Sequence, residues 1–239
     1  MSWSINIGRI AGTAVRIHIT FILFLGWIFC ANYVAEGLQA ALASLVFLVL
    51  LFACVLAHEF GHIFTARAFG VATPDVTLLP IGGVARLERI PEEPRQELLI
   101  AIAGPLVNVA IALGLVLAGA SLQAGDLAAM DSSSVSLVDG LAAVNLFLAL
   151  FNMIPAFPMD GGRVLRALLA TRMGYVRATE IAAKIGQGVA FALGFVGLLY
   201  NPMLIFIAIF VYLAASGEAH GVAMRYPLSR RCRAGAHIL

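Results

Sequence analysis

Long apolar segments constrain the fold of this chain more than any other feature of its sequence. A helix needs about 20 mainly apolar residues to cross a bilayer, and six segments qualify, at about 17–35, 41–68, 97–119, 137–155, 181–200 and 202–216. Of the 239 residues, 62% are hydrophobic and 12% are charged, whereas soluble domains have about 45–50% apolar and about 25% charged residues. The sequence therefore predicts an all-α polytopic membrane protein with about six transmembrane helices.

The positions of the charged residues predict the orientation of these helices. Cytosolic loops of membrane proteins are enriched in Lys and Arg. If the N-terminus is cytosolic and the segments alternate in direction, all 15 Lys and Arg residues fall on the cytosolic side. The charged residues in the loops on the opposite side are then all acidic, namely Glu36, Asp126, Asp131 and Asp139. We therefore predict a multi-pass protein of the cell membrane with both termini in the cytosol.

The loop at 70–96, between the second and third helices, differs in character from the other loops. Its stretch DVTLLPIGGVARLERI has β-favouring residues on both sides of Gly82-Gly83, which predicts a short β-hairpin with a Gly-Gly turn. The sequence shows no internal repeat and no low-complexity tract. We therefore expect a single domain over residues 1–239.

Residues 58–62 read HEFGH and directly follow the apolar run VFLVLLFACVLA. Positions i and i+4 share one face of a helix, so His58 and His62 can bind one metal ion. Glu59 lies beside them, where it can accept a proton from a metal-bound water. Ionisable residues within a membrane span indicate function. The alternative is a polar helix end that is merely hydrated at the membrane surface.

A catalytic zinc site uses three protein ligands, so a third ligand is expected at the same membrane depth. In the predicted orientation HEFGH lies toward the cytosolic side, where the fourth segment runs into NMIPAFPMDGGR. Pro155 and Pro158 break the helix there, so an irregular segment can bring Asp160 to the metal. Irregular backbone at this depth requires a protein interior or a water-filled cavity. The alternative role for Asp160 is a helix cap or turn residue.

HEFGH together with NMIPAFPMDGG resembles the site-2 protease family of intramembrane zinc metalloproteases. The hallmarks of that family are HExxH and an Asn-x-x-Pro…Asp-Gly motif on a later span, and the sequence supplies both in the same order. The resemblance covers nearly the whole chain, including AGPLVN at 103–108 and the hairpin loop. FPMDGGR and the short N-terminus resemble the branch that often carries C-terminal CBS domains, although we expect no CBS domain within this chain.

Carried over residue by residue, the resemblance implies that His58, His62 and Asp160 bind one zinc ion per chain and that Glu59 is the general base. Zinc lowers the pKa of bound water to about 7, which suits hydrolysis of a peptide bond in or near the transmembrane segment of a membrane-anchored protein. The expected partners are that transmembrane substrate and the lipid bilayer, with no nucleic acid. The sequence makes no prediction of oligomeric state.

Four further residues are candidates for substrate contact. Asn152 and Asn108 carry amides that could donate to the carbonyl oxygen as it becomes anionic, although asparagine in membrane helices also serves in interhelical hydrogen bonds. Gly82 and Gly83 belong to the hairpin, whose edge could pair with an unwound substrate segment. Under the alternative interpretation the hairpin is an ordinary cytosolic loop.

Two other functions compete with proteolysis. A membrane metal-ion transporter would also need His and Asp within the bilayer, but it would be expected to show several ligand clusters and often repeated halves. An inactive membrane scaffold would be expected to have lost one of the motif residues, and His58, Glu59, His62 and Asp160 are all present.

Overall fold

The computed structural model describes residues 3–80, 82–86, 93–122 and 136–235. Arg89, Asp126 and Asp131, which enter the orientation prediction, lie outside these residues, as do residues 87–90 of the hairpin stretch. Within the described residues the chain forms, in order, β1 (Ser4–Ile10), β2 (Thr13–His18), α1 (Ile19–Glu36), α2 (Leu38–Ala68), β3 (Asp75–Leu79), β4 (Gly82–Arg86), α3 (Pro94–Leu117), α4 (Leu137–Asn152), α5 (Asp160–Ala170), α6 (Tyr175–Leu199) and α7 (Met203–Gly235).

Each of the six predicted membrane segments contains one long or apolar helix. Helices α1, α2, α3 and α6, and α7 over Met203–Met224, are long and apolar enough to cross a bilayer. Helix α4 is apolar but has 16 residues, which gives about 24 Å at 1.5 Å per residue, short of a hydrocarbon core of about 30 Å. The predicted all-α polytopic class is confirmed, and the chain is a multi-pass membrane protein.

Helix α5 was not predicted as a separate element. It has 11 residues, DGGRVLRALLA, too few and too polar for a membrane span. Its strong segregation of apolar and polar residues marks a helix that packs one face against protein. The helix begins at Asp160, and Met159 is its N-cap residue.

The four strands form one sheet in the order β1-β2-β3-β4. Strands β1 and β2 are antiparallel, β2 and β3 are parallel, and β3 and β4 are antiparallel. The β3–β4 pair confirms the predicted hairpin, but the register pairs Leu79 with Gly82. Gly82 and Gly83 therefore begin β4, and the predicted Gly-Gly turn is wrong. The N-terminal pair β1–β2 was not predicted.

The chain divides into two compact units. The first comprises Met1–Ile90 and Ala103–Leu150, and the second comprises Pro91–Ile102 and Phe151–Leu239. In the first unit the sheet packs against the C-terminal part of α2 through a buried cluster of Val15, Phe60, Ile63 and Val76. The core of the second unit is formed by buried alanines and larger apolar residues of α6, α7 and the segment before α5, namely Ala156, Phe157, Met159, Ala182, Ala183, Ala190, Val211 and Ala215.

The second unit also contains a buried ion network centred on Arg166 of α5, which is 1% exposed. Arg166 Nε donates to Glu97 Oε1 at 2.8 Å, Nη2 donates to the same oxygen, and Nη1 donates to Glu218 Oε1. The guanidinium carbon lies 5.0 Å from the ring centroids of Phe157 and of Tyr175. Through these contacts α5 is joined to the first turn of α3 and to α6 and α7.

Burial lowers the pKa of the Arg166 guanidinium, but the charge of Glu97 and the hydrogen bonds to both carboxylates outweigh it and hold the pKa above its ordinary value. Arg166 is therefore positively charged at every pH at which the protein functions. Its charge stabilises the second unit by neutralising Glu97, which is 0% exposed, because an isolated carboxylate in a protein interior is strongly unfavourable.

We predict that Arg166→Met destabilises the protein by about 3–5 kcal/mol, because removing one partner of a buried ion pair leaves the other charge uncompensated. Unfolding of the detergent-solubilised protein, followed by circular dichroism, measures the loss. Arg172→Met is the matched control, since Arg172 follows α5 and is exposed; its effect should stay within about 0.5 kcal/mol. Equal stability of the two variants would contradict the assigned role of Arg166.

Candidate metal centre

The two histidines of HEFGH lie on the C-terminal part of α2, and both are buried. One helical turn separates them, as predicted, and their Nε2 atoms lie 3.1 Å apart. The two ring planes are inclined by 80°. Zinc–nitrogen bonds of about 2.0–2.1 Å in a tetrahedral arrangement place two ligand atoms about 3.3 Å apart. The observed separation of the imidazole nitrogens therefore fits two ligands of a single zinc ion.

Helix α3 leaves space at these nitrogens because residue 104 is glycine. A Cβ atom at Gly104 would lie 2.2 Å from His62 Nε2 and 2.7 Å from His58 Nε2, distances that no side chain can adopt without displacing the rings. On the facing helix, a Cβ at Gly61 would lie 2.8 Å from the carbonyl oxygen of Ala103. Glycines at both positions allow the two backbones to approach closely, as is common between membrane helices.

The carboxylate-bearing side chain of Glu59 lies against strand β4. A Cβ atom at Gly83 would lie 2.6 Å from Glu59 Cγ and 3.4 Å from Glu59 Oε1. Gly83 is thus a site of close approach between strand and helix, which explains why glycine stands inside a strand. Strand β4 is an edge strand of the described sheet, so a strand edge lies directly beside the predicted base.

Asp160 is the first residue of α5 in the second unit, and it is buried. A carboxylate in the first turn is stabilised by the helix dipole. Met159 occupies the N-cap position, and Asp160 is the first helical residue after it. As predicted, the backbone between α4 and α5 is irregular. It folds tightly onto the start of α5, because a Cβ at Gly161 would lie 2.3 Å from the Ile154 carbonyl oxygen.

The donor chemistry of the three predicted ligands fits zinc. His58 and His62 offer imidazole nitrogens and Asp160 offers a carboxylate oxygen. Two histidines and one carboxylate form a known ligand set of catalytic zinc sites, which keep a further coordination position open for water or substrate.

The two predicted asparagines differ in their surroundings. Asn108 on α3 is 0% exposed, and neither polar atom of its amide has a hydrogen-bond partner within the described part of the chain. It lies four residues after Gly104 and therefore on the same face of α3. Asn152 is the last residue of α4 and is half-buried.

Within the first unit, then, the structure brings together His58, His62 and Gly104 at one point, and Glu59 and Gly83 at another. Gly82 has a φ of 132°, and a Cβ atom built there would lie more than 4 Å from any atom of the other described residues. The role of Gly104 was missed by sequence reasoning. The sequence feature that could have identified Gly104 is a glycine beside Pro105 within an apolar helix. That feature indicates close packing only once the facing helix is known.

Comparison with known proteins agrees with this geometry. The sequence pattern of Peptidase family M50 matches residues 46–127 and 121–195, which include both motifs. A zinc metalloprotease of Methanocaldococcus jannaschii is 41% identical over 223 residues, covering 93% of this chain and 62% of that protein. Rip3 of Mycobacterium tuberculosis is 36% identical over 238 residues, covering 90% of this chain and 58% of Rip3. The chain thus spans more than half, but less than two thirds, of the length of these relatives.

The fold is similar to that of a solved structure as well. The site-2 protease from Methanocaldococcus jannaschii matches with a TM-score of 0.64 and 38% sequence identity, covering 91% of this chain and 95% of that chain. Family pattern, sequence identity and fold therefore agree with one another and with the two motifs. The chain belongs to Peptidase family M50, the family of the site-2 proteases.

Proposed function

We propose that this chain is an intramembrane zinc metalloprotease that hydrolyses a peptide bond in or near the transmembrane segment of a membrane-anchored protein. The observation that carries the proposal is the pair of buried imidazole nitrogens 3.1 Å apart, with a glycine of α3 in place of any side chain beside them. Membership of Peptidase family M50 supports the same activity.

His58 and His62 would hold one zinc ion through imidazole nitrogens, with the carboxylate of Asp160 as the third ligand. The buried position of Asp160 at the start of α5 and its place in the Asp-Gly motif support its assignment as third ligand. When bound, zinc lowers the pKa of a coordinated water and polarises the scissile carbonyl. The ligands themselves orient the ion and, because all three are buried, limit the access of bulk water.

Glu59 is the general base. Its carboxylate accepts a proton from the attacking water and then delivers that proton to the nitrogen of the leaving amine. The contact between its Cγ and the backbone at Gly83 restricts the rotamers of the side chain, which favours a fixed position for the carboxylate. A positioned base is more effective than a freely rotating one because its proton transfer needs no reorganisation.

The substrate is bound as an extended segment. A transmembrane helix satisfies its own backbone hydrogen bonds, so it must unwind before a peptide bond can be attacked. Strand β4 is at the edge of the sheet that the described residues form, so a substrate segment could add there as a further strand. Gly82 and Gly83 let that segment approach close to Glu59. The buried amide of Asn108, which has no described partner, and that of Asn152 are the candidate donors to the substrate carbonyl oxygen.

We further infer that the chain lies in a cell membrane with both termini in the cytosol, because this orientation gathers its Lys and Arg residues on the cytosolic side. Cleavage then occurs near the cytosolic face of the bilayer. A transporter is the weaker candidate, since the described residues offer a single His and Asp group rather than a series along a path.

The experiment that tests the proposed function is Glu59→Gln. We expect cleavage of single-span reporter proteins co-reconstituted in liposomes to fall by about 10²–10⁴-fold, the usual contribution of general-base catalysis. Zinc content, measured by mass spectrometry of the purified protein, should remain that of the wild type. Glu180→Gln, at an exposed position of α6, is the control and should cleave normally. Undiminished cleavage by the Glu59 variant, or a wild type without zinc, would refute the proposal.

Asp160→Asn tests the third ligand. A neutral amide is a poorer zinc ligand than a carboxylate, so we expect a marked loss of zinc after dialysis against a weak chelator, together with loss of cleavage. The comparison variant is Asp139→Asn, because Asp139 lies half-buried on α4, outside both motifs, and accepts a hydrogen bond from the Ser121 N–H. If the Asp160 variant retains zinc as firmly as the Asp139 variant does, Asp160 is not a ligand.

Gly104→Ala tests the space beside the imidazoles. The added methyl group would overlap His62 Nε2, so zinc content and cleavage should both be lost. The control is Gly114→Ala on the same helix, where a Cβ would have no atom of the described residues within 4 Å. Alanine there should leave zinc content unchanged and stabilise the helix by about 0.5–1 kcal/mol. Full zinc binding by the Gly104 variant would show that the rings do not need this space.

A further inference from the structure

The first strand of the sheet carries an exposed apolar surface. The exposed fractions are 69% for Trp3, 53% for Ile5, 56% for Ile7 and 48% for Ile10. These four residues are here called the β1 surface. A contiguous group of large exposed apolar side chains indicates a surface that contacts a partner or a membrane.

The strand register shows on which face of the sheet this surface lies. Ile5 pairs with Ile17, and Ile10 pairs with Thr13. Directly paired residues of antiparallel strands project to the same face, and Val15 shares that face because it lies two positions from both Thr13 and Ile17. Val15 packs against α2. Ile5 and Ile10 therefore project from the side of the sheet on which α2 lies.

The opposite face of the same strand pair is polar. Ser4 pairs with His18, Asn6 pairs with Arg16, and Arg9 pairs with Ala14. The β1–β2 pair is thus amphipathic, with Ile5, Ile10 and Ile17 toward the side of α2 and mostly polar or basic residues on the other side. This distribution suits a ribbon lying on a bilayer, with its apolar face in the acyl region and its basic residues near anionic headgroups.

The β1 surface is continuous with a membrane-spanning element. Strand β2 ends at His18 and α1 begins at the next residue, Ile19. The backbone N–H of Ile19 donates to the carbonyl oxygen of Trp3 at 2.9 Å. Trp3 therefore lies level with the first residue of a helix that crosses the bilayer. Tryptophan is enriched at this depth, where its ring is amphipathic enough to lie among the headgroups.

We propose that the β1 surface docks onto the bilayer that α1 crosses, and that its partner is lipid at the boundary between headgroups and acyl chains. The contact fixes one edge of the sheet at the membrane surface. The opposite edge, β4, then lies at a defined depth beside Glu59. This membrane contact goes beyond the proposed proteolysis and does not depend on it, since neither zinc nor a substrate takes part.

The two tryptophans of the chain, Trp3 and Trp27, allow a direct test. In Trp27→Phe the remaining fluorescence comes from Trp3 alone. The purified protein is placed in nanodiscs of phosphatidylcholine and phosphatidylglycerol that contain lipid brominated either near the top or near the end of the acyl chain. We expect stronger quenching by the shallow bromine than by the deep one, and little quenching by aqueous iodide.

Trp3→Phe is the matched control, because it leaves Trp27 in the middle of α1, where the deep bromine should quench most. Two outcomes would overturn the proposal. Quenching of Trp3 by iodide and not by brominated lipid would place it in water. Quenching by neither would mean that protein, such as a second copy of the chain, covers the surface.

Substitutions on the two faces of β1 provide an independent check. In the Trp27→Phe background, Ile5→Asn with Ile10→Asn should lower the lipid quenching of Trp3 and raise its quenching by iodide, because the apolar face no longer favours the acyl region. Asn6→Ser, on the opposite face, should change neither. Zinc content shows whether the Trp27→Phe protein, its double isoleucine variant and its Asn6→Ser variant are all folded. Unchanged lipid quenching in the double variant would show that these isoleucines do not hold the strand on the membrane.

Discussion

Helices α2 and α3 approach each other so closely that glycine stands at the point of contact on each: Gly61 faces the backbone of Ala103, and Gly104 faces the two imidazoles. In lipid there is no hydrophobic force to drive helices together, so close backbone packing between small residues supplies much of the attraction. The same packing that holds the helices together also keeps bulky side chains away from the histidine nitrogens. The close packing of α2 against α3 depends on Gly61, and the space beside the imidazole nitrogens depends on Gly104.

Buried polar residues serve two different purposes in the two units. In the second unit the charge of Arg166 is neutralised by Glu97 and Glu218, and the resulting network ties four helices together. In the first unit two imidazole nitrogens face each other at 3.1 Å, an arrangement that gains most from an ion between them. The chemistry of the partners, rather than burial itself, therefore separates a structural polar cluster from a functional one.

Much of the fold and of the site could be predicted because each signal was local. Apolar length defined the six membrane segments, and the i, i+4 spacing of His58 and His62 gave their shared helix face. The features that were predicted wrongly or not at all depend on contacts between segments that are distant in the sequence. From the local sequence alone, Gly82 and Gly83 indicate a turn. In the structure they lie in β4, and glycine is needed at position 83 because the Glu59 side chain lies against the backbone there. Likewise, β2 pairs with β3, some sixty residues away in the chain, and β1 joins the sheet only through β2.

The parallel pairing of β2 with β3 has a consequence for biogenesis. Parallel strands need a crossover connection, and here that connection is the pair α1 and α2, both long enough to cross a membrane. The two strands can meet only if this helical hairpin goes out and returns completely, so that β2 and β3 emerge on one face. During synthesis β2 can pair with β1 at once, but its parallel partner β3 follows only after both helices. A chain whose first helix failed to insert would leave β2 and β3 on opposite sides of the membrane, so their pairing could not form. Completion of the sheet is thus conditional on both helices crossing the membrane.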